Sequence, residues 1–202
     1  MKGDRGSRKR RALLVVDVQP TFCEGGALAV AGGNDVAQRV ADFATANRDR
    51  YAAIITTQDW HVDPGGHFSE SPDFVDTWPP HGVAGTDEAE LHPALDDVDI
   101  DASVKKGAYE AAYSGFEGVD DEGRTLAEVL DMYDVGCLDI VGIAESHCVK
   151  ETALDARKCG MPVRVFTDLT VPVSAEQGEA ARELLAARGV KLETSEQALL
   201  AH

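Results

Sequence analysis

Apolar and polar positions along this chain switch repeatedly between two periods. Ala12-Leu13-Leu14-Val15-Val16 is an unbroken apolar run, the pattern of a strand covered on both faces. Val36, Val40, Phe43 and Ala44 then recur at helical spacing, which predicts a helix capped by Asn34. Ala52 to Thr57 predicts a second strand, Asp99 to Val104 a less sharply defined third, and Leu138 to Ile143 a fourth. Leu126, Val129 and Leu130 mark a helix, and a further helix runs from about Ser146 to Lys158, stopped by Gly160. Val163 to Phe166 gives a fifth strand, Ser174 to Arg188 an amphipathic helix ending at Gly189, and Val190 to Leu192 a short sixth strand. Repeated strand–helix units predict an α/β fold of three layers, a parallel sheet with helices on both faces. Such sheets carry their sites at the carboxyl ends of the strands. The stretch from Gln58 to about Asp97, rich in Pro, Gly and His, has little periodicity, and irregular segments of that length inside a domain are usually functional.

Composition narrows the classes. With 202 residues the chain fits one domain, read as residues 12–202 behind a flexible basic tail at 1–11. Nineteen basic against 36 acidic residues leave a net charge of −17, which argues against nucleic acid or an anionic membrane as partner. Neither a secretory signal nor a membrane span is visible, so a cytoplasmic protein is expected. The oligomeric state stays open, a homo-oligomer included. Cys23, Cys137, Cys148 and Cys159 are widely spaced with no C-x-x-C pair, which suggests neither a zinc knuckle nor a redox motif.

Three residues then stand out for chemistry. Cys148, in Gly142-Ile143-Ala144-Glu145-Ser146-His147-Cys148-Val149, falls at a strand-to-helix turn. Backbone N–H groups and a helix dipole there favour a nucleophilic thiolate, although most unpaired cysteines are simply small buried apolar residues. Asp17 ends the first strand, where it is either the cap of a turn or a general base with its pKa raised by burial. Lys106 follows the third strand and opens a segment rich in Gly, Ala and Tyr; a cation there would lower the cysteine pKa, with Lys105 pointing outward. In the irregular segment, Asp59-Trp60-His61 places two ligand types on one side of an extended chain, and His67 and His81 could complete a mixed N/O site for zinc, iron or manganese.

Together these pieces resemble the nicotinamidase (pyrazinamidase) branch of the isochorismatase-like cysteine hydrolases. The resemblance rests on Asp17-Val18-Gln19 with Phe22, Gln58-Asp59-Trp60-His61, Gly66-His67-Phe68, Trp78-Pro79-Pro80-His81, Lys106-Gly107-Ala108-Tyr109, Tyr113 to Gly118, and Gly142-Ile143-Ala144 leading to His147-Cys148-Val149. It implies a six-stranded parallel sheet and a catalytic triad of Asp17, Lys106 and Cys148. It also implies one divalent metal on Asp59, His61 and His81, with His67 a further ligand in some members. An oxyanion hole would form from the N–H groups of Ala144 and Cys148, beside a cis Ile143–Ala144 peptide. The substrate ring would lie among Phe22, Leu28, Trp78, Tyr113 and His147. The expected activity is hydrolysis of nicotinamide, and of pyrazinamide, through a Cys thioester. A metal-free amidase acting on a carbamoyl or ureido substrate is the nearer alternative, and a catalytically silent binding protein the more distant one. The histidine cluster speaks against the first and the intact triad against the second. The chain departs from the family pattern at Pro20-Thr21, at Gly82 and at Glu145-Ser146.

Overall fold

In the computed structural model, which describes residues 10–200, six strands form one parallel sheet of order β3-β2-β1-β4-β5-β6. The strands are β1 (Arg10–Val16), β2 (Ala53–Asp59), β3 (Ala102–Lys106), β4 (Val135–Ile143), β5 (Val163–Val171) and β6 (Lys191–Glu193). The helices are α1 (Gly33–Ala46), α2 (Leu126–Met132), α3 (Lys150–Lys158), α4 (Ala175–Ala187) and α5 (Ser195–Leu200).

Alternation along each strand sends its side chains into two separate cores. Leu13 and Val15 of β1 pack with Val36, Val40 and Phe43 of α1 and Ala198 of α5. Ala12, Leu14 and Val16 pack on the other side with Leu126, Val129, Ala153, Ala156 and Leu185 of α2, α3 and α4. The sheet is therefore the middle of three layers, which is why its strands read as continuous apolar runs.

Several boundaries differ from expectation. The structure begins β1 at Arg10, and Arg11 reaches the buried Asp139 at 2.5 Å; the rest of the expected tail lies outside the described residues. β2 and β3 run further than the apolar pattern, to Asp59 and Lys106, because both polar ends are buried. α1 starts at Gly33 behind Gly32, so Asn34 lies inside its first turn and is not the cap. The expected helix at Ser146 splits in two: Glu145–Val149 is a wide turn in which the Val149 amide reaches the Ala144 carbonyl at 3.1 Å, and α3 follows. β5 runs on to Val171 with a register jump against β4. α5 was not anticipated, being a single polar-flanked turn and a half. Among the described residues no helix is long and apolar enough to cross a membrane.

Candidate active site

The strand order puts the chain's switch point between β1 and β4, since the chain leaves β1 towards β2 and β3 and returns to β4 on the other side. Asp17 follows β1 directly, in left-handed backbone at φ 47° that an aspartate tolerates better than most residues. Its amide bonds the Thr57 carbonyl at 3.1 Å, and the Thr57 hydroxyl donates to its Oδ1 at 2.6 Å. Lys106 closes β3, fully buried. Its Nζ lies 2.9 Å from Asp17 Oδ2, 3.2 Å from the Ala112 carbonyl and 3.8 Å from Cys148 Sγ, and it pairs with Asp59. Cys148 sits in the turn after β4, within reach of the Lys106 ammonium that also pairs with Asp17. The closeness of β4 to β1 depends on Gly142, where a Cβ would fall 2.0 Å from the Val16 carbonyl oxygen. Asp17, Lys106 and Cys148 thus converge from three strand ends. Lys105 faces outward, as expected, over the Trp60 ring.

Charge in this cluster is set by burial first. Burial raises Asp17 above the usual carboxylate range, with Lys106 opposing and Asp59 adding to the rise. Burial would raise Asp59 too, but the Lys106 ammonium beside it overrides this and holds it well below. Lys106 would be lowered by burial, yet the two carboxylates raise it well above its usual value. Cys148 differs from the expectation of a resting thiolate. Burial lifts its pKa well above the usual thiol value, Lys106 pulling down and Asp17 and Asp59 pushing up. Dehydration and two nearby carboxylates thus outweigh one cation, which favours the neutral thiol at rest.

Beside the cluster, ligand atoms of His61, His67 and His81 lie within 4.8 Å of one another. Asp59 Oδ2 is 3.4 Å from His61 Nε2 and 3.6 Å from His81 Nε2. His61 Nδ1 bonds the Gly107 carbonyl at 2.6 Å and His81 Nδ1 the Pro79 carbonyl at 2.8 Å. Those carbonyls demand N–H at Nδ1, which leaves the Nε2 lone pairs facing the cluster. His61 Nε2 and His67 Nδ1 are buried without hydrogen-bond partners, and burial with its two neighbours pushes His67 down to about 4. Three imidazoles and a carboxylate around buried, unpartnered ring nitrogens fit a divalent cation.

A cavity of about 400 Å³ opens over both groups, lined by all five expected ring contacts together with Asp59, His67, His81, Ala144 and Cys148. Trp78 Nε1 donates to the Tyr113 hydroxyl at 3.0 Å and meets His147 edge-on at 5.6 Å. The Ile143–Ala144 peptide is cis. The His147 and Val149 amides both bond the Ala144 carbonyl, with the Cys148 amide between them.

Several supporting residues were not singled out from sequence. The Gln19 side chain accepts from the Asp59 amide at 2.9 Å and donates to the Asp59 and Ala89 carbonyls, fixing the carboxylate's backbone. Its signal was its place two residues after Asp17, a second polar residue at a buried strand end. Two of the departures meet: the Gly82 amide donates to Thr21 Oγ1 at 3.0 Å. At the third, Glu145 is buried against Arg182 at 2.5 Å and Thr170 at 2.8 Å, while Ser146 Oγ accepts from the Val173 amide and pairs with His147 Nδ1. Apart from the Ser146–His147 pair, these contacts join distant stretches, so no local pattern announces them.

Such a sheet, with cysteine, aspartate and lysine at its switch point, defines a class, and the isochorismatase domain matches residues 11–197: the chain belongs to the isochorismatase family. Within it, the chain is 49% identical over 182 residues to the nicotinamidase/pyrazinamidase of Mycobacterium tuberculosis, covering 90% of this chain and 97% of that one. The pyrazinamidase of Pyrococcus horikoshii in complex with zinc superposes with a TM-score of 0.79 at 34% identity, covering 92% and 99%. PnC1 of L. infantum in complex with nicotinate gives 0.80 at 32%, covering 93% and 94%.

Proposed function

We propose that this protein is a metal-dependent nicotinamidase that hydrolyses nicotinamide, and pyrazinamide, to the carboxylate and ammonia. The observation that carries this reading is the adjacency of two groups under one aromatic cavity: a buried Asp–Lys–Cys cluster and a histidine–carboxylate cluster, joined by the Lys106–Asp59 ion pair. A metal-free amidase has no use for the second group. The nicotinamidase relatives support the same choice.

In this mechanism Asp17 takes the Cys148 proton as the sulfur attacks the amide carbon. Lys106 keeps Asp17 ionised while the carboxylate waits. The Ala144 and Cys148 amides stabilise the oxyanion. Asp17 then returns its proton to the amide nitrogen, the C–N bond breaks, and ammonia leaves a thioester on Cys148. A water molecule gives its proton to Asp17 as it attacks, the C–S bond breaks, and that proton restores the thiol. Asp59, His61, His67 and His81 would hold the ion, and the chemistry it supplies when bound is a Lewis-acid contact for the ring nitrogen that orients the carboxamide. We favour zinc, with iron and manganese also suited to this donor set. The setting we infer is cytoplasmic, which suits four cysteines that form no disulfide.

The test is release of ammonia and nicotinate from nicotinamide, run beside benzamide, which lacks the ring nitrogen. The nicotinamide-to-benzamide ratio of kcat/KM should be high in the metal-loaded enzyme and collapse after chelation. Absence of ammonia release from nicotinamide would overturn the reading, and an unchanged ratio would overturn the orienting role of the metal.

A further inference from the structure

Exposure separates the floor of the cavity from its rim. Asp59, Trp78, His81, Ala144 and Cys148 are buried, whereas Phe74, Val173 and Gln177 stand exposed at the mouth. Phe74 is the bulkiest of these, and its backbone is left-handed at φ 57°, a region bulky side chains rarely occupy. Asp73 builds the turn that holds it there. Its Oδ1 accepts from the amides of Val75, Asp76 and Thr77 and from the Thr77 hydroxyl, each at 2.9 Å, while the Phe74 amide bonds the Thr77 carbonyl at 3.1 Å.

Neither the core nor the backbone calls for phenylalanine at this position. The residue is 55% exposed, and glycine would adopt its backbone more readily. Among the described residues its one ring contact is with Trp78, edge-on at 6.1 Å, and Trp78 in turn meets His147 at 5.6 Å. Phe74 therefore extends the aromatic wall of the cavity outward to its mouth. Bulky residues persist in unfavourable backbone mainly where a site uses them.

We propose that Phe74 is the size-limiting residue of the cavity mouth and sets which ring-substituted carboxamides the enzyme accepts. The inference rests on the pyridinecarboxamide reading above. With the ring nitrogen at the histidine cluster and the C3 carboxamide at Cys148, both ring positions are held at the floor. C2 lies between them, so C5, directly opposite, faces the mouth. A small C5 substituent passes under the Phe74 ring, and a C5 aryl group collides with it.

The experiment compares zinc-loaded wild type with Phe74→Gly and Phe74→Trp, measuring ammonia release from nicotinamide and from 5-phenylnicotinamide. In wild type the nicotinamide-to-phenyl ratio of kcat/KM is high. Phe74→Gly should lower that ratio by about 10-fold or more, the low end of what a steric pocket wall supplies, and Phe74→Trp should raise it. Glycine suits the left-handed turn, so its melting temperature should not fall, and the tryptophan variant gives a second reading in the opposite direction. A ratio that stays within about twofold of wild type in both variants overturns the proposal. Wild type that is inactive on nicotinamide itself would overturn the underlying functional reading, whereas active wild type with an unchanged ratio overturns only the role of Phe74.

Discussion

Replacing Lys106 by Met keeps the length of the side chain and removes its charge, at a place where two buried carboxylates depend on it. At 2.9 Å from Asp17, two unit charges attract by about 6 kcal/mol at an effective permittivity of 20. Burying the ammonium costs several kcal/mol, so the net effect of deleting one partner of a buried pair is about 3–5 kcal/mol. A domain of ordinary stability, about 5–15 kcal/mol, survives that loss, so the variant should fold and can be measured. The pH dependence carries the sharper test. In wild type, Asp59 is held well below its unfolded value, so its contribution is present above about pH 4 and fades as pH falls through the folded pKa. Lys106 is raised well above its usual value, so its contribution persists through neutral pH and is lost only as pH rises through that higher pKa. Without the cation, Asp17 rises further, and the folded variant takes up a proton that the unfolded chain releases. Its stability should therefore rise more steeply on acidification than that of wild type, in which Lys106 holds both carboxylates lower. Urea unfolding of chelator-treated protein from about pH 4 to pH 8 should show a difference near its full size at neutral pH that narrows towards the acid end. The acid limb of kcat/KM should move to higher pH in the same variant, since Asp17 must be ionised to accept the thiol proton. A difference below about 1 kcal/mol, or one that does not vary with pH, would refute the idea that Lys106 holds these carboxylates in their charged form.

Other expectations follow from the same geometry. Cys148→Ala should abolish ammonia release with the fold and metal content intact, and Asp17→Asn should cost at least about 10²-fold in kcat; a tenth of wild-type turnover in the first would sink the nucleophile assignment. Exposed Cys159 should be alkylated readily with no loss of activity, Cys23, pushed up to about 11 by burial, should react slowly at neutral pH, and modification of Cys148 should track inactivation, all resolved by peptide mapping. Gly107→Ala places a Cβ 2.6 Å from the His61 ring in backbone at φ 75°, and should weaken metal binding by about 10–100-fold, as loss of an outer-shell partner does, measured by competition with a chelator.

How much of this was legible in the sequence depends on the range of the interaction concerned. Strand and helix existence followed from apolar periodicity, because a sheet covered on both faces leaves unbroken apolar runs and helices leave a 3.6-residue stripe. The residues that the structure brings together were legible as well, since a buried strand end that closes on Asp, Lys or a Cys-bearing turn is chemically conspicuous, and Asp59, His61, His67 and His81 lie within one segment. What the tertiary structure alone decided is everything that depends on which strand ends are neighbours. The order β3-β2-β1-β4 brings Lys106 between Asp17 and Asp59 beside Cys148, and burial with those two carboxylates, against the pull of Lys106, reverses the simple expectation and favours the protonated thiol. Gln19 under Asp59, Thr57 on Asp17, and Glu145 clamped by Arg182 are likewise contacts between residues some 37 to 40 positions apart. Burial and pairing fix the charge of each group, and both are properties of surroundings assembled from distant segments, so a linear pattern names the groups while only the folded chain sets their protonation.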